Sequence, residues 1–171
     1  MKVLIVVDMQ NDFISGSLGS DDAKAIVDKV AEKVDKFDGK VIFTRDSHYE
    51  NYLETQEGRN LPIMHCMVGT EGWHIHPSIP VKDTDMKFNK YGFGSIELMD
   101  FLTFLHQTKG IESIKFVGLC TDICVVSNAL LAKAFLPEVP LIVDSSCCAG
   151  TSLEAHEAAL KVMQSNQIKV V

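Results

Sequence analysis

Arginine is nearly absent from this chain: only Arg45 and Arg59 occur, and no block of lysines makes up for them. With 16 Lys and Arg against 23 Asp and Glu the formal charge is −7, and a sequence-independent grip on nucleic acid needs several phosphate-neutralising cations in one patch. Nucleic acid is therefore excluded as a partner. Long apolar runs are missing too. Nothing approaches the ~20 residues of a membrane span, and Met1-Lys2 leads directly into Val3–Val7 and then Asp8, too short and too early for a secretory leader. The expectation is a cytoplasmic protein with no membrane partner. Cysteine is present but in an odd number, five, at Cys66, Cys120, Cys124, Cys147 and Cys148. Such a set makes a poor disulfide framework, so reduced thiols are expected, at least one of them available for chemistry.

What is there reads as one compact domain over residues 1–171. Of the 171 residues 46% are apolar, and a chain of this length buries roughly 70% of its unfolded surface without needing a metal or disulfide to hold the core. Short apolar and β-branched runs recur at Val3–Val7, Val41–Thr44, Ile114–Val117, Leu141–Val143 and Ile168–Val171. Runs unbroken by polar residues suit strands covered on both faces, as in a parallel sheet between helical layers. Helical periodicity fills the gaps at Ala23–Phe37, Ile96–His106, Ile123–Ala134 and Leu153–Gln164, so the class is α/β.

One stretch breaks the rhythm. Ser47–Lys82 carries three of the five prolines and four of the six histidines, among them His48, His65, His74 and His76, together with Trp73. Long ordered loops in compact domains tend to be functional. In an open parallel sheet the ligand lies at the carboxyl ends of the strands, which gathers Asp8, Arg45–His48, the short Met86-Lys87-Phe88 segment and Gly118–Cys124 on one edge.

At that edge Cys124 sits just inside a helix that Thr121 or Asp122 can cap, where the helix dipole favours a thiolate; packing is its competing role. Asp8 follows five apolar residues and would be a partly buried carboxylate able to move protons, or else a loop hydrogen-bonder. Lys87 could hold Asp8 ionised and add positive charge beside the sulfur, with Lys90 as a rival three residues on; either could instead be a solvated surface lysine. Together an aspartate, a lysine and a cysteine make an acyl-transfer set.

These residues lie in motifs that carry a family likeness. Val6-Val7-Asp8-Met9-Gln10-Asn11-Asp12-Phe13, followed by Gly16-Ser17-Leu18, resembles the amino-terminal signature of the isochorismatase-like cysteine hydrolases. Gly118-Leu119-Cys120-Thr121-Asp122-Ile123-Cys124-Val125 looks like their nucleophile turn, Lys87-Phe88-Asn89-Lys90-Tyr91-Gly92-Phe93 resembles their lysine segment, and Asp144-Ser145-Ser146 falls where a strand-ending aspartate is expected. The resemblance implies a three-layer α/β/α architecture with a mostly parallel, Rossmann-like sheet of six strands, catalytic residues Asp8, Lys87 and Cys124, and a homo-oligomer. It further implies a cis peptide at Leu119–Cys120 that turns the Cys120 N–H toward the Cys124 N–H to form an oxyanion hole.

Similarity to the nicotinamidase branch adds a divalent metal, zinc first and manganese or iron after it, on Asp46, His48 and His65 of the His65-Cys66 pair, with Asn51, Glu54 and Glu57 as candidates for a fourth ligand. Phe13 and Tyr91 become expected walls for a flat aromatic ring, near Leu18. The implied reaction is hydrolysis of a small carboxamide, nicotinamide above others, through a Cys124 thioester. Departures from the branch are Leu61-Pro62-Ile63-Met64, where an aromatic residue is usual, and Gly92, where alanine or serine is usual. The alternatives are a metal-free hydrolase of another amide, ureido or carbamoyl compound, a dithiol redox protein using Cys120 and Cys124 or Cys147 and Cys148, and a non-catalytic binding module.

Overall fold

A computed structural model describes all residues, 1–171. In chain order the elements are β1 (Lys2–Val7), α1 (Asn11–Ile14), α2 (Asp21–Asp35), β2 (Lys40–Asp46), α3 (Gln56–Asn60), β3 (Met86–Lys90), α4 (Ile96–Lys109), β4 (Ser113–Leu119), a π-turn over Thr121–Val125, α5 (Val126–Phe135), β5 (Leu141–Ala149), α6 (Leu153–Ser165) and β6 (Lys169–Val170). The six strands form one sheet in the order β3-β2-β1-β4-β5-β6, and every pairing is parallel. The α/β/α layering and six-stranded parallel sheet match expectation. The sixth strand, β3, is the one absent from the apolar runs, because an edge strand covered on fewer sides tolerates Lys87 and Asn89, while Lys90 at its end is buried. No helix is long and apolar enough to cross a membrane.

Alternation along β1 explains why its sequence is uninterrupted. Val3, Ile5 and Val7 pack with Leu98, Leu102 and Ala129 of α4 and α5, while Leu4 and Val6 pack with Ile26, Val27 and Val30 of α2. Side chains of a strand point alternately to opposite faces, so a strand between two helical layers must be apolar at every position. The helices start on serine caps: the side-chain oxygens of Ser20, Ser95 and Ser152 accept from the N–H groups of Ala23, Leu98 and Ala155, satisfying donors that the first turn leaves free.

Strand order reverses between β1 and β4, which opens a crevice above their carboxyl ends. The close approach of these strands depends on Gly118, paired with Val7 at a φ of 117°. A Cβ there would stand 2.1 Å from the Val7 carbonyl oxygen. Gly118→Ala therefore combines backbone strain with a clash in the sheet centre. We expect a loss of about 2 kcal/mol or more, lowering Tm by roughly 4–8 °C in a chain of this size; a calorimetric Tm within a degree of wild type would contradict it.

Strand β5 departs from the sequence reading. Its register against β4 shifts between Phe116 and Gly118, where Val143 pairs with Phe116 but Cys148 with Gly118. The chain bulges over Asp144–Cys147 and then resumes the ladder, so Asp144 does not end the strand. Its carboxylate meets Lys33 of α2 at 2.7 Å and accepts from the Ser146 hydroxyl, contacts that hold its pKa below the usual range despite burial, which acts the other way. It is an inter-element tie. All five cysteines are free thiols.

Candidate active site

The first strand ends on Asp8, fully buried and held in the left-handed region at φ 47°, an uncommon backbone for a residue with a side chain. Thr44 of β2 secures it from both ends: its hydroxyl donates to Asp8 Oδ1 at 2.6 Å and accepts from the Asp8 N–H at 3.2 Å. Asp8 Oδ2 stands 2.7 Å from Lys90 Nζ, yet makes no aligned hydrogen bond.

Lys90, not Lys87, is the lysine of the site. Lys87 is exposed, its ammonium near only the Asp85 carbonyl. Lys90 is 2% exposed, and besides Asp8 its Nζ reaches Asp46 Oδ1 at 3.1 Å, Cys124 Sγ at 3.2 Å and the Gly92 carbonyl at 3.2 Å. The reason is parity and register. Three residues along a strand is an odd step, which sends the two side chains to opposite faces, and Lys90 is the residue paired with Asp46 at the strand end whereas Lys87 pairs with Phe43.

Cys124 lies in the π-turn that follows β4, 5% exposed at the floor of a cavity of about 540 Å³. Neither expected cap operates: Thr121 Oγ1 bonds His156 Nδ1 at 2.7 Å, and Asp122 accepts from the Thr151 N–H and hydroxyl. Burial pushes the Cys124 thiol well above its ordinary pKa; the Lys90 ammonium pulls it down but does not win. The expected thiolate is thus a thiol at rest, and attack requires a base. Burial also raises the Asp8 carboxyl, with Lys90 lowering it and Asp46 raising it, while Lys90 stays charged because its anionic neighbours outweigh the desolvation that opposes charge.

The expected cis peptide is absent, since no peptide bond in the chain is cis. Extended Cys120 instead precedes the turn, its carbonyl accepting from the Ile123 and Val125 N–H groups. Its own N–H donates to no group of the protein, and Cys120 lines the cavity.

Beside this trio Asp46, His48, Glu57 and His65 bring one ligand atom each to within 4.8 Å of one another. Asp46 Oδ2 is 2.9 Å from His48 Nε2 and 3.5 Å from His65 Nε2, and Glu57 Oε1 is 3.6 and 3.7 Å from the same nitrogens. His65 Nδ1 lies 2.7 Å from the Ile63 carbonyl; an oxygen there accepts, so Nδ1 carries a proton, and in the neutral ring the Nε2 lone pair faces the cluster. Two carboxylates meeting in a mostly buried space repel, and Glu57 is raised by burial and by Asp46. A divalent cation would relieve that repulsion, so the donor set fits one. Glu57 is the fourth member and Glu54 is not part of the group; Asn51 is exposed.

Gln10, which the sequence reading did not single out, fixes the position of Asp46. Its side-chain oxygen accepts from the Asp46 N–H at 2.7 Å and its amide donates to the carbonyls of Asp46 and Trp73, both at 2.9 Å. A polar residue three positions past an apolar strand was the available signal, and the side chain proves to be completely buried. Asp12 acts similarly on the histidine segment, accepting from the Cys66 N–H at 2.7 Å where Cys66 takes a φ of 46°. Trp73, His74 and His76 stay outside the cavity; the indole donates to Ser47 Oγ and carries Arg45 across its face at 3.8 Å.

Phe13 and Leu18 line the cavity, and Phe13 packs 5.6 Å from the His65 ring. Tyr91 does not line it. It is 62% exposed and stacked on Tyr49, and Phe93 supplies the aromatic wall instead.

An Isochorismatase domain matches residues 2–171. The chain is similar to a nicotinamidase/pyrazinamidase of Mycobacterium tuberculosis, 30% identical with 100% of this chain and 98% of the relative covered. Among solved structures it resembles a pyrazinamidase of Pyrococcus horikoshii in complex with zinc, at TM-score 0.85 and 29% identity over 99% of this chain and 98% of that one, and a nicotinamidase/pyrazinamidase of Bacillus subtilis, at TM-score 0.86 and 26% identity over 99% and 98%. With that match across residues 2–171, the protein belongs to the isochorismatase family.

Proposed function

We propose that this chain is a nicotinamidase, hydrolysing the carboxamide of nicotinamide to nicotinate and ammonia, with Asp8, Lys90 and Cys124 as its catalytic groups. The observation that carries the reading is the meeting at Lys90 Nζ of Asp8 Oδ2, Cys124 Sγ and Asp46 Oδ1, which joins an acyl-transfer trio to a four-ligand cluster.

Cys124 Sγ attacks the carboxamide carbon as Asp8 takes its proton. Lys90 stabilises the sulfur's developing charge before the carbon–sulfur bond is complete. The oxyanion is held by the backbone N–H groups of Cys120 and Cys124, each such donor contributing about 3 kcal/mol in comparable sites. Asp8 then returns the proton to the departing nitrogen, ammonia leaves, and a thioester on Cys124 remains. Water loses a proton to Asp8 and attacks the thioester, releasing the acid and restoring the thiol.

Zinc held by Asp46, His48, Glu57 and His65 would supply Lewis acidity and an anchor for water or a pyridine-type nitrogen. Two imidazole nitrogens and two carboxylate oxygens suit zinc, with manganese and iron as competitors.

The test is ammonia release from nicotinamide by protein assayed for metal content. Chelation should reduce turnover by about 100-fold or more, the scale of losing metal-based charge stabilisation, and zinc should restore it. Cys124-dependent cleavage of other amides, with no metal retained and nicotinamide untouched, would establish the metal-free alternative instead.

A further inference from the structure

The two faces of the sheet are unequally covered. Helices α4, α5 and α6 pack on one face, whereas α2 is the long helix of the other. Beside the first residues of β1 and β4, at the sheet end opposite Cys124, a cleft of about 650 Å³ opens between α2 and the strands. It is lined by Lys2, Lys29, Lys33, Lys36 and Lys115, nearly a third of the 16 Lys and Arg of the chain.

Periodicity explains why they converge. Positions 29, 33 and 36 repeat at helical spacing along one flank of α2, beside its buried stripe of Ile26, Val30 and Val34. On the sheet, Lys2 lies two residues before Leu4 and Lys115 two before Val117, and Leu4 and Val117 belong to the core under α2. An even step keeps a strand side chain on the same face, so Lys2 and Lys115 face the helix that carries the other three.

The charge in this cleft is unbalanced. Lys33 is tied to Asp144 at 2.7 Å and Lys36 to Glu32 at 2.5 Å, but Lys2, Lys29 and Lys115 form no ion pair. Glu32 and Asp38 are the acids of the lining. At its floor, burial raises the Cys147 thiol while Lys33 and Lys29 oppose the shift; burial likewise acts to raise Asp144, which Lys33 and Ser146 hold low with help from Lys115. Three ammoniums are thus within electrostatic reach of one floor. Gathering cations in a concave space costs repulsion that a bound anion removes. The half-buried side chains of Phe37 and Ile142 add apolar surface, and the volume suits a small molecule. A two-fold copy of the chain would set these lysines against their own equivalents.

We propose that this cleft is a second ligand site, separate from the active site, and that it binds a diphosphate-bearing small molecule through Lys29, Lys33 and Lys115. Lysine serves here as a compact point charge for phosphate oxygens.

The experiment is calorimetric titration of the full chain with inorganic pyrophosphate and, separately, with ADP, at low ionic strength so that screening is small. Both should bind with a Kd of about 100 μM or tighter. Combining Lys29→Gln with Lys115→Gln should weaken binding by about tenfold or more, the scale of losing charge-assisted hydrogen bonds. Lys24→Gln, on the same helix but outside the cleft, should leave Kd within about twofold, as expected of a solvated surface charge. A thermal melt verifies folding; Lys29 is exposed, so Lys29→Glu alone serves if the paired variant does not fold. Tighter binding of ADP, by a margin lost in Phe37→Ser, identifies a nucleotide as the ligand, and equal affinities identify the free diphosphate. The second site is overturned if neither anion binds or if Lys24→Gln weakens binding as much as the cleft variants do. Binding that survives the cleft substitutions places the anion elsewhere, the cluster around Asp46 included, and overturns it as well.

Discussion

Lys90→Met should reduce amide-hydrolysing turnover by about 1,000-fold or more, while Lys87→Ala leaves it within about twofold of wild type, the difference between a buried charge at the reacting atoms and a solvated one. Lys90 Nζ is the single cation within contact of Asp8, Asp46 and Cys124. Without it the Cys124 thiolate forms beside a protonated Asp8 and the Asp46 carboxylate with no cation at the sulfur, in a site that excludes most water, where like charges repel strongly. Deleting one partner of a buried ion pair typically costs about 3–5 kcal/mol of stability. Here the loss should fall short of that, because burial already inclines Asp8 to hold a proton and a neutral carboxyl needs no counter-charge. A folded but inactive Lys90→Met protein is therefore the expected outcome. Lys90→Arg keeps the charge but not the compact ammonium, and its planar fork cannot meet three acceptors around one nitrogen; it should recover little activity. Near-normal turnover by Lys90→Met, or a severe loss in Lys87→Ala, would return the role to residue 87.

That contrast marks where the sequence was legible. Apolar runs such as Val3–Val7 revealed the sheet because a strand between helical layers must be apolar on both faces. The same logic hid β3, an edge strand that carries two lysines and an asparagine. With β3 unseen as a strand its carboxyl end could not be located, so the rule that sites collect at carboxyl ends was applied to Met86-Lys87-Phe88 and not to Lys90, its last residue. The π-turn around Cys124 was equally illegible, since a hydrogen-bond pattern one residue wider than the α-helix leaves no periodic mark in so short a segment. Glu57 and His65 were individually visible as candidates. Their convergence with Asp46 depends on a loop whose shape is fixed by buried polar contacts from Gln10 and Asp12, and side-chain-to-backbone bonds across 36 and 54 residues have no signature in sequence spacing. Tyr91 misled for the opposite reason: an aromatic residue beside a catalytic segment suggests a wall, but this ring stacks on Tyr49 outside the cavity.

The second large effect concerns the proton that Cys124 must lose. Since burial holds Cys124 as a thiol and leaves Asp8 as the base, Asp8→Asn should reduce turnover by about 100- to 10,000-fold, the range of general-base contributions. Iodoacetamide alkylation of Cys124 should slow in parallel, which separates loss of thiol activation from loss of substrate binding. Cys124→Ala should abolish turnover and remove the fast-reacting thiol, leaving the remaining buried cysteines slow. The pH profile follows from the sign of the Asp8 shift. A base works only when ionised, so activity falls as pH drops through its folded-state pKa. Because burial raises that pKa above the ordinary carboxylate value, the acid limb of kcat/KM should lie above the range of a solvated aspartate, and Asp8→Asn should erase it from whatever activity remains. An acid limb that persists unchanged in Asp8→Asn would assign the titration to another group, and rapid alkylation in that variant would mean that the thiol is activated without the aspartate.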